Sequence, residues 1–312
     1  MRFLFLKKPV FLLIIISIFL LIFAGIALLF LLKPSKPIPI SERSIVVVTD
    51  SALLAEAVLS IGFERCKTYV LPDESSTKLN RKQKALRKKY MTNADFIMSF
   101  SSRKNIKKNS YLSSWVDDKR LILFTDKTLP KIIDDMSKKN DFFYLSIPLW
   151  KNCLFYIYEQ LSALDPEKES YYLANLTLQK IKLSEIYKQF NRSFLKIPLK
   201  KRKVYALDDS FFYLCKDFEI KIYNLLQPTI PDNTLKNPDV LLIKKPPYNT
   251  PFIYNFHLKK HLKVTIVDYI KQKSSKDSVI TGLYTELSDE TYKQNSYFLM
   301  MLHNYTVLLN SF

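Results

Sequence analysis

Glycine is almost missing from this chain, which has only Gly25, Gly62 and Gly282 in 312 residues. Phosphate-cradling loops need several closely spaced glycines, so P-loops and G-x-G-x-x-G dinucleotide fingerprints are excluded, and no G-x-S-x-G nucleophile elbow is present. Histidine is as scarce. His257 and His261 stand at i and i+4 on one face of an expected helix, but lysines surround them and no H-E-x-x-H glutamate lies between them, so they read as a solvated face. His303 falls in an amphipathic helix and reads as structural. Cysteine also numbers three: Cys66, Cys153 and Cys215 are widely spaced and set among apolar residues. That pattern makes neither a disulfide framework nor a zinc motif; buried thiols are expected, with one bridged pair left open. Adjacent acids at Asp117-Asp118 and Asp208-Asp209 read as helix caps rather than catalytic pairs, and no enzyme is expected.

Basic residues are plentiful. The net charge is +19, and the first 33 residues hold four of the 48 basic groups and none of the 29 acidic ones, which leaves +15 for the rest. A balance of that size could serve nucleic acid, an anionic membrane or an anionic ligand. The lysines are nevertheless scattered in short pairs such as Lys88-Lys89 and Lys107-Lys108, without a long tract, and the Lys, Asn, Ile, Phe and Tyr bias is that of an AT-rich genome. Nucleic acid is therefore not an expected partner.

Charge is wholly absent from residues 9–32, a run dominated by Leu, Ile and Phe. As a helix it would reach about 36 Å, enough to cross a hydrocarbon core of about 30 Å with some tilt. The competing reading, a cleaved signal peptide, has a shorter apolar region and a small-residue cleavage site; here Phe30, Leu31, Leu32 and Lys33 follow instead. The expected organisation is a cytoplasmic tail at 1–8, a membrane anchor at 9–32 and a linker at 33–44 containing Pro34, Pro37 and Pro39. Basic residues flank both ends, so the positive-inside rule orients the helix only weakly. An inner-membrane signal anchor, with the soluble part facing the periplasm or exterior, is the default.

Beyond the linker, Ile45-Val46-Val47-Val48-Thr49 reads as a buried strand, followed by a helix from Ala52 to Ser60. Further strands are expected at 67–71, 96–100 and 121–125. Asp165-Pro166-Glu167 looks like an N-cap, an N1 proline and an acidic first turn. It opens a long helix whose apolar face runs through Leu176, Leu183, Ile186, Tyr187, Phe190 and Phe194 before Pro198 ends it. A second alternating set follows, with strands at 203–207, 220–225, 240–243 and 264–267 and helices at 210–216, near 252–261 and at 291–309. The fold class is α/β. An N-terminal lobe at 45–164 and a C-terminal lobe at 198–312, each with a mostly parallel sheet flanked by helices, are joined by a long rigid helix at 165–197.

The order of several local motifs resembles the periplasmic solute-binding proteins of zinc and manganese ABC transporters, over about residues 45–312. Thr49-Asp50-Ser51-Ala52-Leu53-Leu54-Ala55, ending at Ile61-Gly62, is similar to the family's first strand and helix. Ala94-Asp95-Phe96-Ile97 resembles its A-D-hydrophobic strand entry. Leu161 to Pro166 with Tyr172 and Asn175 is similar to the L-x-x-x-D-P-x-x-x-x-x-Y-x-x-N signature of its linking helix. Lys203 to Leu214, with Asp209, Phe211 and Tyr213, resembles a segment that normally reads H-D-A-F-x-Y-F, and Met300, Met301 and Asn304 resemble its last helix.

The resemblance implies a monomer that captures a divalent metal (zinc, manganese or iron) or a metal chelate between its lobes and presents it to an ABC permease in the bilayer. It also implies three histidines and a carboxylate as ligands, and this chain departs from that set. Leu71-Pro72 leads to Lys78 where the first histidine is due, Pro148 stands two residues before Trp150 where the second is due, and Asp208 aligns with the third. The carboxylate after the last strand of the C-terminal lobe is assigned to Asp268. Asp208 and Asp268 are thus the candidate metal ligands, with Lys78, Trp150 and Asp209 as further cleft candidates. A basic cleft containing Lys78 would suit an anionic chelate, an expectation that an acidic cleft would overturn. The rival reading is an envelope scaffold or interaction protein that kept the fold without metal binding.

Overall fold

The computed structural model describes residues 43–71, 80–107, 112–125, 142–207, 209–224, 251–255, 280–287 and 296–312. Strand β1 (Ile45–Thr49) is buried along nearly its whole length, as a β-branched run covered on both faces should be. It pairs in parallel with β2 (Cys66–Val70) on one side and β3 (Phe96–Ser99) on the other, and β3 pairs in parallel with β4 (Leu121–Leu123). Helix α1 (Ala52–Gly62) lies between β1 and β2 in the chain, and α2 (Arg81–Asn93) between β2 and β3. Asp95, just before β3, holds the edge of this unit together: its carboxylate accepts from Val46 N at 2.8 Å and from the Arg43 guanidinium at 2.6 and 2.7 Å.

The second sheet repeats that topology. Strands β5 (Lys203–Ala206), β6 (Lys221–Asn224), β7 (Phe252–Asn255) and β8 (Ile280–Leu283) are all parallel in the order β6-β5-β7-β8, matching β2-β1-β3-β4. Two expectations change here. Phe252 to Asn255 is a central strand rather than the start of a helix: Pro251 precedes it, and Phe-Ile-Tyr suits a pleated, buried surface better than a helix. Strand β8 is not among the expected strands, and its Gly282 weakens the local strand pattern. The strands expected at 240–243 and 264–267 and the membrane anchor at 9–32 lie outside the described residues. Among the described residues no helix is long and apolar enough to cross a membrane.

Between the sheets in sequence stand α3 (Ile147–Leu164) and α4 (Glu169–Leu195), joined by a 3-10 turn at Pro166–Lys168. Helix α4 has 27 residues and buries Tyr172, Leu176, Leu183, Ile186, Phe190 and Phe194, the expected stripe with Tyr172 added and Tyr187 only part-buried. Near its start Asn175 Nδ2 donates to the Ile61 carbonyl at 2.8 Å, which ties it to α1. Near its end Phe190 meets Tyr305 of α6 (Tyr297–Asn310) at 5.2 Å between ring centres. Phe194 stacks at 4.4 Å on Phe218, which follows α5 (Phe212–Asp217). One helix thus packs against elements of both α/β units.

Asp165 does not cap this helix pair with its side chain. Its carboxylate is buried and takes the Arg65 guanidinium at 2.8 and 3.2 Å and the Tyr172 hydroxyl at 2.9 Å. The D-P…Y…N signature is therefore a structural bolt: Asp165 and Tyr172 hold Arg65 just beyond α1, while Asn175 takes the carbonyl of Ile61 at the end of the same helix.

Scarce glycine shows in how turns are made. Phe63 (φ 43°) and Glu219 (φ 55°) occupy the left-handed region that usually falls to glycine after a helix. Arginines close two other helix ends. Arg120 donates to the Thr92 and Ala94 carbonyls at 3.1 and 2.9 Å beyond α2, and Arg202 to the Ile197 carbonyl at 2.9 Å beyond α4. Gly62 is retained where α1 approaches β2, because a Cβ there would strike Cys66. All three cysteines are buried and unbridged, and burial pushes the Cys66 thiol up to about 12.

Two carboxylates sit where chain segments distant in sequence meet. Asp217, at the end of α5, accepts from Ser146 Oγ at 3.0 Å, while its second oxygen is buried with no hydrogen-bond partner among the described residues. Desolvation raises its pKa to about 7 despite that bond and the nearby Lys216. Glu56 of α1 is likewise raised to about 7 by desolvation, opposed by a backbone hydrogen bond from Tyr297.

The bolt predicts that Asp165→Asn destabilises the protein by about 2–3 kcal/mol, because the charge-assisted bonds from Arg65 and Tyr172 lose their anionic acceptor, whereas Asn175→Ala costs about 1 kcal/mol. Denaturant titration checks both, and equal, negligible effects would refute the assignment. The raised carboxylates predict an inverted pH response. A folded-state pKa above the unfolded value means the native state binds the proton more tightly, so stability is full below about pH 4 and falls as pH rises toward about 7. His303, whose pKa burial lowers, opposes this as a single group. Melting temperature should therefore fall between about pH 5 and pH 8, and Asp217→Asn should flatten the profile.

Candidate functional site

In an open parallel sheet the crevice for ligands lies beyond the carboxyl ends of the strands, where the winding changes direction. In the order β2-β1-β3-β4 that point falls between β1 and β3, so the residues leaving those strands are Asp50 and Phe100. A cavity of about 400 Å³ opens there, lined by Asp50, Leu53, Leu71, Phe100, Tyr144 and Glu286, among others. Glu286 comes from the other sheet, three residues beyond β8. Each α/β unit thus supplies one carboxylate to the same cavity.

Local chemistry positions both acids. Asp50 follows β1 directly, and the Ser99 hydroxyl at the end of β3 donates to its Oδ2, while Ser99 Oγ itself accepts from Ser101 N at 3.0 Å. Ser51 caps α1 by accepting from Leu53 N at 3.2 Å, so the amino end of that helix borders the cavity beside Asp50. On the other side, fully buried Asn304 of α6 clamps the chain at Tyr284: its Oδ1 accepts from Tyr284 N and its Nδ2 donates to the Tyr284 carbonyl, both at 2.8 Å. Glu286 stands two residues on, exposed to the cavity's solvent side.

An aromatic layer forms the floor. Phe100 stacks on Tyr144 at 4.5 Å, and Trp150 lies deeper, 6.1 Å from Phe100 and stacked on Tyr297 at 4.4 Å. The Tyr297 hydroxyl donates to the Tyr144 carbonyl at 2.6 Å, which ties α6 to the segment that lines the cavity.

The sequence-expected residues fall as follows. Trp150 is 1% exposed, a core residue one layer below the cavity rather than a cleft wall. Asp209 opens the exposed side of a 3-10 turn after β5 and is not among the cavity's lining residues. Asp208, Asp268, Lys78, His257 and His261 lie outside the described residues. The rule that located the fourth ligand, a carboxylate after the last strand, selects Glu286 once β8 is recognised as the last described strand. The available signal was Asn304, whose clamp makes sense only if a strand end lies beside it. Asp50 belongs to the Thr49–Ala55 motif, and its place directly after β1 brings its acid to the cavity.

The described lining carries two acids and no base, and Lys78, on which the expectation of a basic cleft for an anionic chelate rests, lies outside the described residues. Among the described residues no group of three His, Cys, Asp or Glu side chains is gathered as a ready metal cage. His303 instead packs edge-on against Tyr284 at 4.9 Å.

Known proteins place this arrangement. No curated protein matches the chain. Several solved structures share its fold: a periplasmic zinc-binding protein, TroA, from Treponema pallidum (14% identity, TM-score 0.66); a manganese-bound periplasmic metal-binding protein from Candidatus Liberibacter asiaticus (17%, 0.64); and a zinc-bound variant of AdcAII from Streptococcus pneumoniae (15%, 0.62). Each comparison covers 86% of this chain and 99% of the other. The model of the family described as zinc-uptake complex component A, periplasmic (ZnuA), matches residues 47–311, and with a match over most of its length the chain belongs to that family of metal-type ABC solute-binding proteins.

Proposed function

We propose that this protein is a membrane-tethered, extracytoplasmic capture component of a metal-type ABC importer, taking its cargo between Asp50 and Glu286 and handing it to the permease. One observation carries the reading: carboxylates from two separate parallel sheets line a single cavity beyond the strand ends. Residues 9–32 serve as the anchor, and Asp208 and Asp268 remain candidates to complete the ligand set. Carboxylate oxygens without imidazole favour hard divalent ions, so manganese or ferrous iron suits the site better than zinc. Helix α4 acts as the rigid link. Bolted at Asp165 and packed at Phe190 and Phe194, it restricts the lobes to small adjustments about the cargo.

The second reading, a scaffold that has lost its cargo, draws on one feature: the only described histidine is His303, packed on Tyr284.

Manganese, ferrous iron and zinc should each be tested for thermal stabilisation of the purified chain. Stabilisation by manganese or iron is expected, reduced by at least about tenfold in apparent affinity by Asp50→Ala or Glu286→Ala, which is about 1.4 kcal/mol. Parallel Asp208→Ala and Asp268→Ala variants report whether those residues join the site. No shift with any metal would favour the scaffold, and a shift untouched by all four substitutions would place the site elsewhere.

A further inference from the structure

Helix α2 breaks the rules that stabilise helices. Its thirteen residues carry Arg81, Lys82, Lys84, Arg87, Lys88 and Lys89 and no acid. Three of these cations occupy the first turn, where the helix's positive end repels them, and Lys84 and Lys88 repel each other at i and i+4. Only Met91 is buried, and the end is rescued by a reciprocal cap in which Asn80 and Gln83 exchange side-chain to backbone hydrogen bonds, both at 2.9 Å. At about 100° per residue, Arg81, Lys82, Lys84, Lys88 and Lys89 fall on one arc of about 160°. All five are exposed. A locally unfavourable choice of this kind marks a surface kept for contact rather than stability.

A groove of about 520 Å³ runs beside that arc, lined by Lys84, Arg87, Lys88, Met91, Trp115 and Asp118, among others. Its acid is engaged: Arg120 bonds Asp118 at 2.7 Å and holds its carboxyl below the usual range. Half-buried Trp115 lies under the Arg120 guanidinium at 5.5 Å. The rim therefore combines cations with an amphipathic indole, the pairing that suits a membrane interface.

We propose that the α2 face of the N-terminal lobe lies against the anionic phospholipid headgroups of the membrane that tethers the chain. The proposal rests on the tether reading. Between Leu32 and Ile45 there are only thirteen residue steps, at most about 45 Å of extended chain. The lobe that begins at β1 cannot stray far from the bilayer. Helix α2 is too polar to enter hydrocarbon, so the contact is electrostatic, with lipid phosphates as partners of the lysines and with Trp115 at headgroup depth.

The test uses the full chain in nanodiscs of phosphatidylcholine alone and in discs with about 30% phosphatidylglycerol, with hydrogen exchange read over residues 81–93. Exchange should slow at least about fivefold in the anionic discs. That protection should vanish at about 0.5 M salt and in the Lys84→Gln/Lys88→Gln/Lys89→Gln variant, whose metal response should be unchanged. Equal exchange in both lipids, or protection that survives salt and the triple variant, overturns the proposal. Failure of the tether reads separately, as chain released from discs by alkaline carbonate. The released chain is then sedimented with vesicles of the same two compositions: binding to anionic vesicles alone sustains the α2 contact, and binding to neither overturns it.

Discussion

The ion pair of buried Asp165 with part-buried Arg65 is the contact on which the rest of the architecture depends. It joins the turn between α3 and α4 to the chain just beyond α1, and the Tyr172 hydroxyl completes its coordination. Removing Arg65 would strand the buried Asp165 carboxylate without its counter-charge. Because α4 goes on from this point to meet Tyr305 and Phe218, an error at its start would be carried along the helix to the second α/β unit. The placement of Asp50 relative to Glu286 is thus set partly by a contact remote from both.

A second constraint is the lack of glycine. Elsewhere a helix would end on glycine in the left-handed region; here Phe63 and Glu219 accept that conformation, and arginine guanidinia reach the carbonyls at the ends of α2 and α4. Arginine thus closes backbone ends in Arg120 and Arg202 and holds buried or part-buried carboxylates in Arg43 and Arg65, while lysine supplies most of the exposed charge. That division lets the outer surface be strongly basic and the described cavity lining acidic.

Much of this was legible in the chain. Strong periodicity located β1 and α4, and the D-P…Y…N resemblance marked where the long helix opens, though local capping chemistry suggested the wrong job for Asp165 and gave no sign of the bolt. The region after residue 224 was harder. Phe252 to Asn255 is a short run whose strand character depends on neighbours β5 and β8 on either side, information no local pattern contains. Asp268 follows the strand expected at 264–267, outside the described residues, whereas Glu286 follows β8, a strand that no local pattern announces. The position of Trp150 likewise depends on a distant partner: Tyr297, on which it stacks, lies 147 positions away. Asp50 was in plain view, but its acid has meaning only once Glu286 is known to line the same cavity.

The most direct test of this account is anomalous diffraction from crystals of the protein grown with manganese. A peak inside the cavity, within coordination distance of both the Asp50 and Glu286 carboxylates, is the predicted result. A well-ordered cavity with no peak, or a metal bound only at a site away from these two residues, would contradict it.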